Sequence, residues 1–308
     1  MDIIELKSYA KINLGLQVLN KRPDNFHNIN TIFARINLFD EIIIEKNNSN
    51  NINLKIIGNE FLNQFDEIDN NLIVKAFNKI KKILRDKNKI RDKDSDSLIG
   101  VDVTLKKNIP IGAGLGGGSS NAAYFILGFV KLFKIILSKA ELSVIAQSLG
   151  SDISYFLQEG FAIAKSRGEK LLYFEHDFPF NIVLIYPNLH INTTEAYKKF
   201  NRETFNQINQ KQNLYNEINF YEILVRSEQN HSLLKEFIVN DFEQNAIEQY
   251  PIIKQIKDEL YNQNAILALM SGSGSTIFGL FDKKDNVSDK IQKLTEKYGK
   301  HGFLIISC

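Results

Sequence analysis

The residues with the plainest chemical meaning in this chain are a glycine run ending in two serines: Pro110-Ile111-Gly112-Ala113-Gly114-Leu115-Gly116-Gly117-Gly118-Ser119-Ser120. Glycine opens backbone conformations closed to other residues and lets a ligand come close to the main chain. Several successive N–H groups can then turn toward one anion, and a helix that follows adds the positive end of its dipole. Ser119 and Ser120 put two hydroxyls where they can cap that helix, bind phosphate or help to hold a magnesium ion. The flanking segments are apolar and ordered in pattern, which argues against a loose glycine linker. The chemistry indicated is phosphate binding.

Three other phosphate-binding designs fit less well. A P-loop needs Gly-Lys-Ser/Thr, and no lysine follows these glycines. Gly112, Gly114 and Gly117 match dinucleotide spacing, but that fold wants an acidic residue about 20 residues on, at the end of a second strand. The candidate here, Glu141, is explained instead by a capping box with Ser138. Neither His-Arg-Asp nor Asp-Phe-Gly of the protein kinases occurs. Further polar residues are ambiguous when read alone. Asp152 reads more readily as a helix cap than as a base, Lys11 as a surface lysine on a strand, His27 as a turn histidine and Tyr197 as a packing residue.

The elements that must position these groups follow from periodicity. Ile3–Lys7 and Ile12–Leu19 read as strands, and so do Ile29–Ile36 and Ile42–Lys46, with a turn near Phe39-Asp40 between them. Ile52–Ile57 is a further strand. Leu72, Ala76, Ile80 and Ile83 recur at helical spacing over Asn71–Leu84. Arg85–Ser97 is dense in charge and reads as a solvated loop. Val101, Val103 and Leu105 alternate as in a half-buried strand, the glycine run follows, and Ser120–Phe133 reads as a buried helix. Gly150-Ser151-Asp152 ends the helix opened by Ser138. Beyond it the pattern gives a strand at Ile182–Tyr186, a long polar helical region at Thr194–Phe237 and a helix at Ile252–Asn262. Strands at Ile266–Leu269 and Thr276–Phe281, a helix at Val287–Tyr298 and a strand at Phe303–Ser307 complete the chain. This is the split βαβ order, in a second half expected to begin after residue 160.

Composition narrows the class. The 308 residues are 44% hydrophobic and 24% charged, as in an ordinary globular protein of one or two domains. A net charge of +2 gives no reason to expect nucleic acid or an anionic membrane as a partner. The longest clean apolar run, Ala122–Val130, is too short to span a bilayer. Asp2 and Glu5 stand where a secretory signal would be basic, so a cytoplasmic protein is expected. Cys308 is the single cysteine, which excludes disulfides within the chain and thiolate zinc sites.

The glycine run resembles the second motif of the GHMP kinases, the superfamily of galactokinase, homoserine kinase, mevalonate kinase and phosphomevalonate kinase. The first motif is matched by Ala10-Lys11-Ile12-Asn13-Leu14 and the third by Ser271-Gly272-Ser273-Gly274-Ser275, so the resemblance covers nearly the whole chain. It implies an α+β, two-domain fold. Residues 1–160 would form a ribosomal-protein-S5-like ATP-binding domain with a left-handed crossover, and residues 161–308 a ferredoxin-like substrate-binding domain. It also implies ATP and Mg2+ as cofactors, with magnesium carried mainly by the phosphates and Ser119 or Ser120 as a further ligand.

Within the superfamily, Arg22-Pro23-Asp24-Asn25-Phe26-His27, continuing to Thr31-Ile32-Phe33, resembles the Arg-x-Asp-Gly-Tyr-His signature of the kinases that act on CDP-methylerythritol. Asn25 replaces the glycine and Phe26 the tyrosine. Asn tolerates left-handed turns and Phe retains a ring for stacking. The resemblance implies that cytosine lies between Phe26 and Tyr197, with His27, Asn13 and Thr193 also contacting the substrate. Asn71 and Lys107 would line the adenine and ribose site. Gly150-Ser151-Asp152 resembles the segment whose Asp is the general base, and Lys11 is the matching cation. Asn240-Asp241-Phe242-Glu243 resembles a mainly structural segment. The alternatives are another GHMP kinase and a silent binding protein on the same fold. The first would lack the Asp24–His27 segment, and the second has no chemical need to keep Lys11, Asp152 and the glycine run together.

Overall fold

The computed structural model describes residues 2–58, 70–86, 98–200 and 220–308. They form two compact units between which the chain passes several times. The first holds Met1–Ala10, Asn37–Ile111 and Gly116–Glu159; the second holds Lys11–Ile36, Gly112–Leu115 and Gly160–Cys308.

Two long strands, β1 (Ile3–Lys21) and β2 (His27–Lys46), contribute residues to both units. Each is continuous where the sequence pattern predicts two shorter strands. In β2 the expected turn at Phe39-Asp40 is absent. Asp is disfavoured in strands because its carboxylate competes for backbone donors. Here Asp40 is fully buried and accepts hydrogen bonds from the backbone N–H groups of Asn108 and Ile109 at 2.7 and 2.8 Å, so the strand runs through it.

In the first unit β4 (Val101–Lys106) pairs antiparallel with Glu41–Lys46 of β2 and parallel with β3 (Ile52–Ile57). Helix α1 (Leu72–Asp86) lies between β3 and β4 in sequence and buries Ile73, Ala76, Phe77, Ile80 and Leu84. Those residues pack against α2 (Gly117–Leu132), where Phe129 meets Phe77 edge to face at 5.7 Å. Helix α3 (Lys139–Leu149) opens with the expected capping box. Ser138 Oγ accepts from Glu141 N, and Glu141 Oε2 accepts from Ser138 N. A 3₁₀ helix over Ser151–Leu157 follows. Part of the predicted Arg85–Ser97 loop lies outside the described residues; Arg85 and Asp86 belong to α1.

The second unit contains a hairpin that periodicity did not reveal, β5 (Phe161–Ser166) and β6 (Lys170–Phe174). Its inward positions include Ala162 and Ala164, both fully buried, and alanine is a weak strand signal. β5 pairs antiparallel with Ile29–Phe33 of β2. A four-stranded antiparallel sheet follows in the order β10-β7-β9-β8, made of β7 (Phe180–Tyr186), β8 (Leu267–Met270), β9 (Ile277–Asp282) and β10 (Leu304–Ser307). Helices α8 (Pro251–Asn262) and α9 (Val287–Tyr298) complete the predicted split βαβ arrangement. Ile253, Ile256 and Leu260 of α8 and Leu294 of α9 join Val183, Ile185 and Phe281 in the core.

Among the described residues, the polar region between β7 and α8 holds four short helices. They are α4 (Thr193–Lys199), α5 (Phe220–Ser227), α6 (Ser232–Phe237) and α7 (Glu243–Gln249). The rest of the long helical region predicted at Thr194–Phe237, residues 201–219, lies outside the described residues. No helix among the described residues is long and apolar enough to cross a membrane.

Candidate active site

The glycine run is divided between the units. Gly112, Gly114 and Gly116 adopt left-handed φ values of 65°, 77° and 69°. In the first unit, Gly116 is the N-cap of α2, which starts at Gly117, three residues earlier than periodicity predicts. A left-handed glycine lets the chain turn into the helix at that point. No side chain caps this helix, and no acidic residue occupies its first turn, so its N–H groups and dipole face whatever anion arrives. Gly118 is exposed and Ser119 half-buried. Ser120 is different: its hydroxyl is buried and donates to Tyr9 O at 2.6 Å.

In the second unit, all three superfamily motifs meet at Gly114. Lys11 Nζ donates to Asn13 Oδ1 at 2.6 Å and reaches Gly114 O at 3.4 Å. Ser271 Oγ donates to Gly114 O at 3.0 Å and accepts from Asn13 N at 3.2 Å. The loop is also tied by its main chain, Lys11 N to Leu115 O at 3.0 Å and Thr276 N to Ala113 O at 3.3 Å. A side chain at Gly114 would bring its Cβ to 2.1 Å from Ser271 O, so the close approach requires glycine. Asn13 Nδ2 donates to Thr31 Oγ1 at 3.0 Å, and Asn240 Nδ2 donates to Met270 O and Gly272 O, each at 2.7 Å. Lys11 and Asn13 are both buried. Charge and donors are thereby held in place by the protein's own hydrogen bonds.

The Arg22–His27 segment is a tight turn in the same unit. Asn25 holds φ 67°, the left-handed conformation expected where the signature has glycine. Arg22 N donates to Phe26 O at 2.8 Å, and the Arg22 guanidinium bonds Asp24 and reaches Ser166 Oγ at 2.7 Å. Phe26 is 51% exposed, and one side of its ring is covered by the Arg167 guanidinium at 4.7 Å. The ring stacked on Tyr197 is that of His27, with centroids 5.4 Å apart and planes inclined by 15°. Burial, helped by the charge of Lys21, holds the His27 pKa below its usual value. Thr193, at the start of α4, shares a hydrogen bond of 2.8 Å with Ser273.

The remaining predicted residues lie in the first unit. Asp152 is half-buried in the first turn of the 3₁₀ helix. Asn71 caps α1, its Oδ1 accepting from Ile73 N at 2.9 Å. Pro110 is buried and Ile111 exposed at the entry to the glycine run. Lys107 is 7% exposed, ion-paired with Asp40, and its Nζ bonds Asn121 Oδ1 at 3.2 Å. Sequence reasoning assigned no site role to Asp40, Asn121, Thr31 or Arg167. The one usable signal was Asp40, an acid among strand residues.

The chain matches the GHMP kinases N terminal domain over residues 71–160 and the GHMP kinases C terminal domain over residues 222–300. It is 36% identical to the 4-diphosphocytidyl-2-C-methyl-D-erythritol kinase of Prosthecochloris aestuarii, covering 97% of this chain and 96% of that one. The corresponding protein of Chlorobium limicola is 34% identical, with 96% and 94% covered. A crystal structure of a 4-(cytidine 5'-diphospho)-2C-methyl-D-erythritol kinase matches with a TM-score of 0.71 and 26% identity, covering 99% of this chain and 98% of that one. The chain therefore belongs to the 4-diphosphocytidyl-2-C-methyl-D-erythritol kinase family of the GHMP kinases.

Proposed function

We propose that this kinase transfers the γ-phosphoryl group of ATP to the 2-hydroxyl of CDP-methylerythritol, in the non-mevalonate route to isoprenoid precursors. The observation that carries the acceptor is the 36% identity, along 97% of the chain, to a relative of that name. The bond from the γ-phosphorus to the bridging oxygen breaks, a bond to the acceptor oxygen forms, and ADP leaves. Asp152 takes the proton of the attacking hydroxyl, and Lys11 holds the reacting groups and offsets developing negative charge.

Gly112–Ser120, entered through Pro110 and Ile111, holds the phosphates on backbone N–H groups and on the dipole of α2. Asn71 borders the adenine site. Lys107 borders the adenine and ribose site from beneath the first turn of α2, where Asp40 holds its ammonium in a buried ion pair. Magnesium, carried mainly by the phosphates, supplies charge neutralisation when bound. Ser119 fits as a further ligand better than Ser120, whose hydroxyl is committed to Tyr9 O. Asn13, Phe26, His27, Thr193 and Tyr197 receive the cytidine end of the acceptor. Phe26 offers the ring face not covered by Arg167, and a neutral His27 can both donate to and accept from the base edge. The reading includes work in the cytoplasm on a small-molecule substrate.

A coupled assay of ADP release, run with and without CDP-methylerythritol, tests the proposal. Release that depends on the acceptor and yields a monophosphorylated product is expected. The same slow release in both arms overturns it.

A further inference from the structure

Asp40 is fully buried on β2, and each of its carboxylate oxygens accepts from two donors. Oδ1 takes the backbone N–H groups of Asn108 and Ile109, at 2.7 and 2.8 Å. Oδ2 takes the Lys107 ammonium and, at 2.8 Å, Asn121 Nδ2. Residues 107–109 lead into the glycine run, and Asn121 is the residue that follows Ser120. One carboxylate thus bonds the segments on both sides of the loop. The network continues outward, with Asn121 Nδ2 donating to Ser8 Oγ at 3.0 Å and Ser8 Oγ sharing a hydrogen bond of 2.7 Å with Ser120 Oγ. A Cβ built at Gly117 would lie 3.4 Å from Lys107 Nζ, which places the ammonium under the first turn of α2.

We propose that Asp40 is a positioning residue for the nucleotide, acting through the loop ends it ties together and through the buried Lys107 charge it orients. This rests on the reading of the glycine run as the ATP phosphate site. A carboxylate accepts four hydrogen bonds in this geometry, whereas an amide of the same shape must point two N–H groups at donors. Asp40→Asn therefore keeps the volume and removes the tie. Asn121→Ala removes only its downstream half and leaves the carboxylate paired with Lys107.

The measurement is the Kd of a non-hydrolysable ATP analogue by calorimetry, together with the KM for ATP and for CDP-methylerythritol. Asp40→Asn is expected to weaken analogue binding roughly tenfold or more and Asn121→Ala severalfold, on the scale of one or two lost charge-assisted hydrogen bonds. The KM for CDP-methylerythritol should stay within about twofold if the effect is confined to the loop. Ile80→Val, which trims the fully buried core of the same unit, gives the response of destabilisation alone. If Asp40→Asn fails to fold, Asn121→Ala decides by itself. Wild-type protein that does not bind the analogue refutes the phosphate-site reading. Wild-type binding matched by Asn121→Ala, or KM values for both substrates rising together, overturns the role of Asp40.

Discussion

At the level of single residues, the proposed chemistry makes separable demands on Asp152, His27 and Phe26. Asp152→Asn keeps the shape of the side chain but not its basicity. Turnover is expected to fall by roughly 10²–10⁴-fold while ATP affinity is retained, and a variant with near-normal turnover removes Asp152 from the mechanism. His27 is expected to bind the base as the neutral ring, and burial lowers its pKa. The neutral form is favoured in the fold, so its contribution is present above the ordinary imidazole pKa and is lost as pH falls through the lower folded value. The KM for CDP-methylerythritol should therefore rise as pH falls below the ordinary imidazole pKa, with the KM for ATP less affected, and His27→Gln should flatten that rise. A parallel acid limb in His27→Gln assigns the titration to another group. Phe26→Ala removes a ring face worth on the order of 1–3 kcal/mol in stacking, so the KM for CDP-methylerythritol should rise about tenfold or more. Phe26→Tyr should be close to neutral because the face is kept. If Phe26 serves only to pack the turn, its loss lowers Tm without separating the two Michaelis constants.

At the level of elements, the sharpest dependence is on the Ser271–Ser275 turn. Ser271 is fully buried and holds both Gly114 O and Asn13 N. Ser271→Ala takes the serine acceptor from the buried Asn13 N and leaves Gly114 O with only the 3.4 Å contact to Lys11 Nζ, a loss of about 1–3 kcal/mol before relaxation. A lower Tm and a higher KM for ATP are expected together, read by calorimetry and steady-state kinetics. Unchanged values in both would mean that the turn does not support the loop. The capping box of α3 makes a contrasting case, because its two hydrogen bonds are exposed and act locally. Ser138→Ala should cost about 1 kcal/mol of stability and leave both Michaelis constants where they were.

At the level of the whole molecule, acceptor choice is the property to test. CDP-methylerythritol should be turned over with a kcat/KM well above that for mevalonate or homoserine, by roughly 10²-fold or more, because the groups proposed to bond a base would be left unpaired by an acceptor that lacks one. A competitor panel under one ATP concentration checks this, and preference for mevalonate or homoserine would refute the assignment.

Local chemistry was legible in the sequence by itself. The glycine run, the Ser138–Glu141 capping box and the helix at Val287–Tyr298 depend on neighbours a few residues away. So does Asn25 in a left-handed turn; the structure holds the capping box, the helix and this turn as the sequence predicts, while α2 begins at Gly117, three residues before the predicted start. The split βαβ order of the second unit was also legible, since its strands and helices alternate with clear periods. Tertiary structure decided what depends on partners far along the chain. Asp40 looks like a turn residue until residues 107–109 and 121 supply its four donors, and only then can a charge sit in the middle of a buried strand. The β5–β6 hairpin was hidden because small alanines face inward, and its signal lies in pairing with β2. The meeting of Lys11, Gly114 and Ser271 spans most of the chain, so the close approach that makes glycine necessary at Gly114 is visible only once Ser271 O is in place.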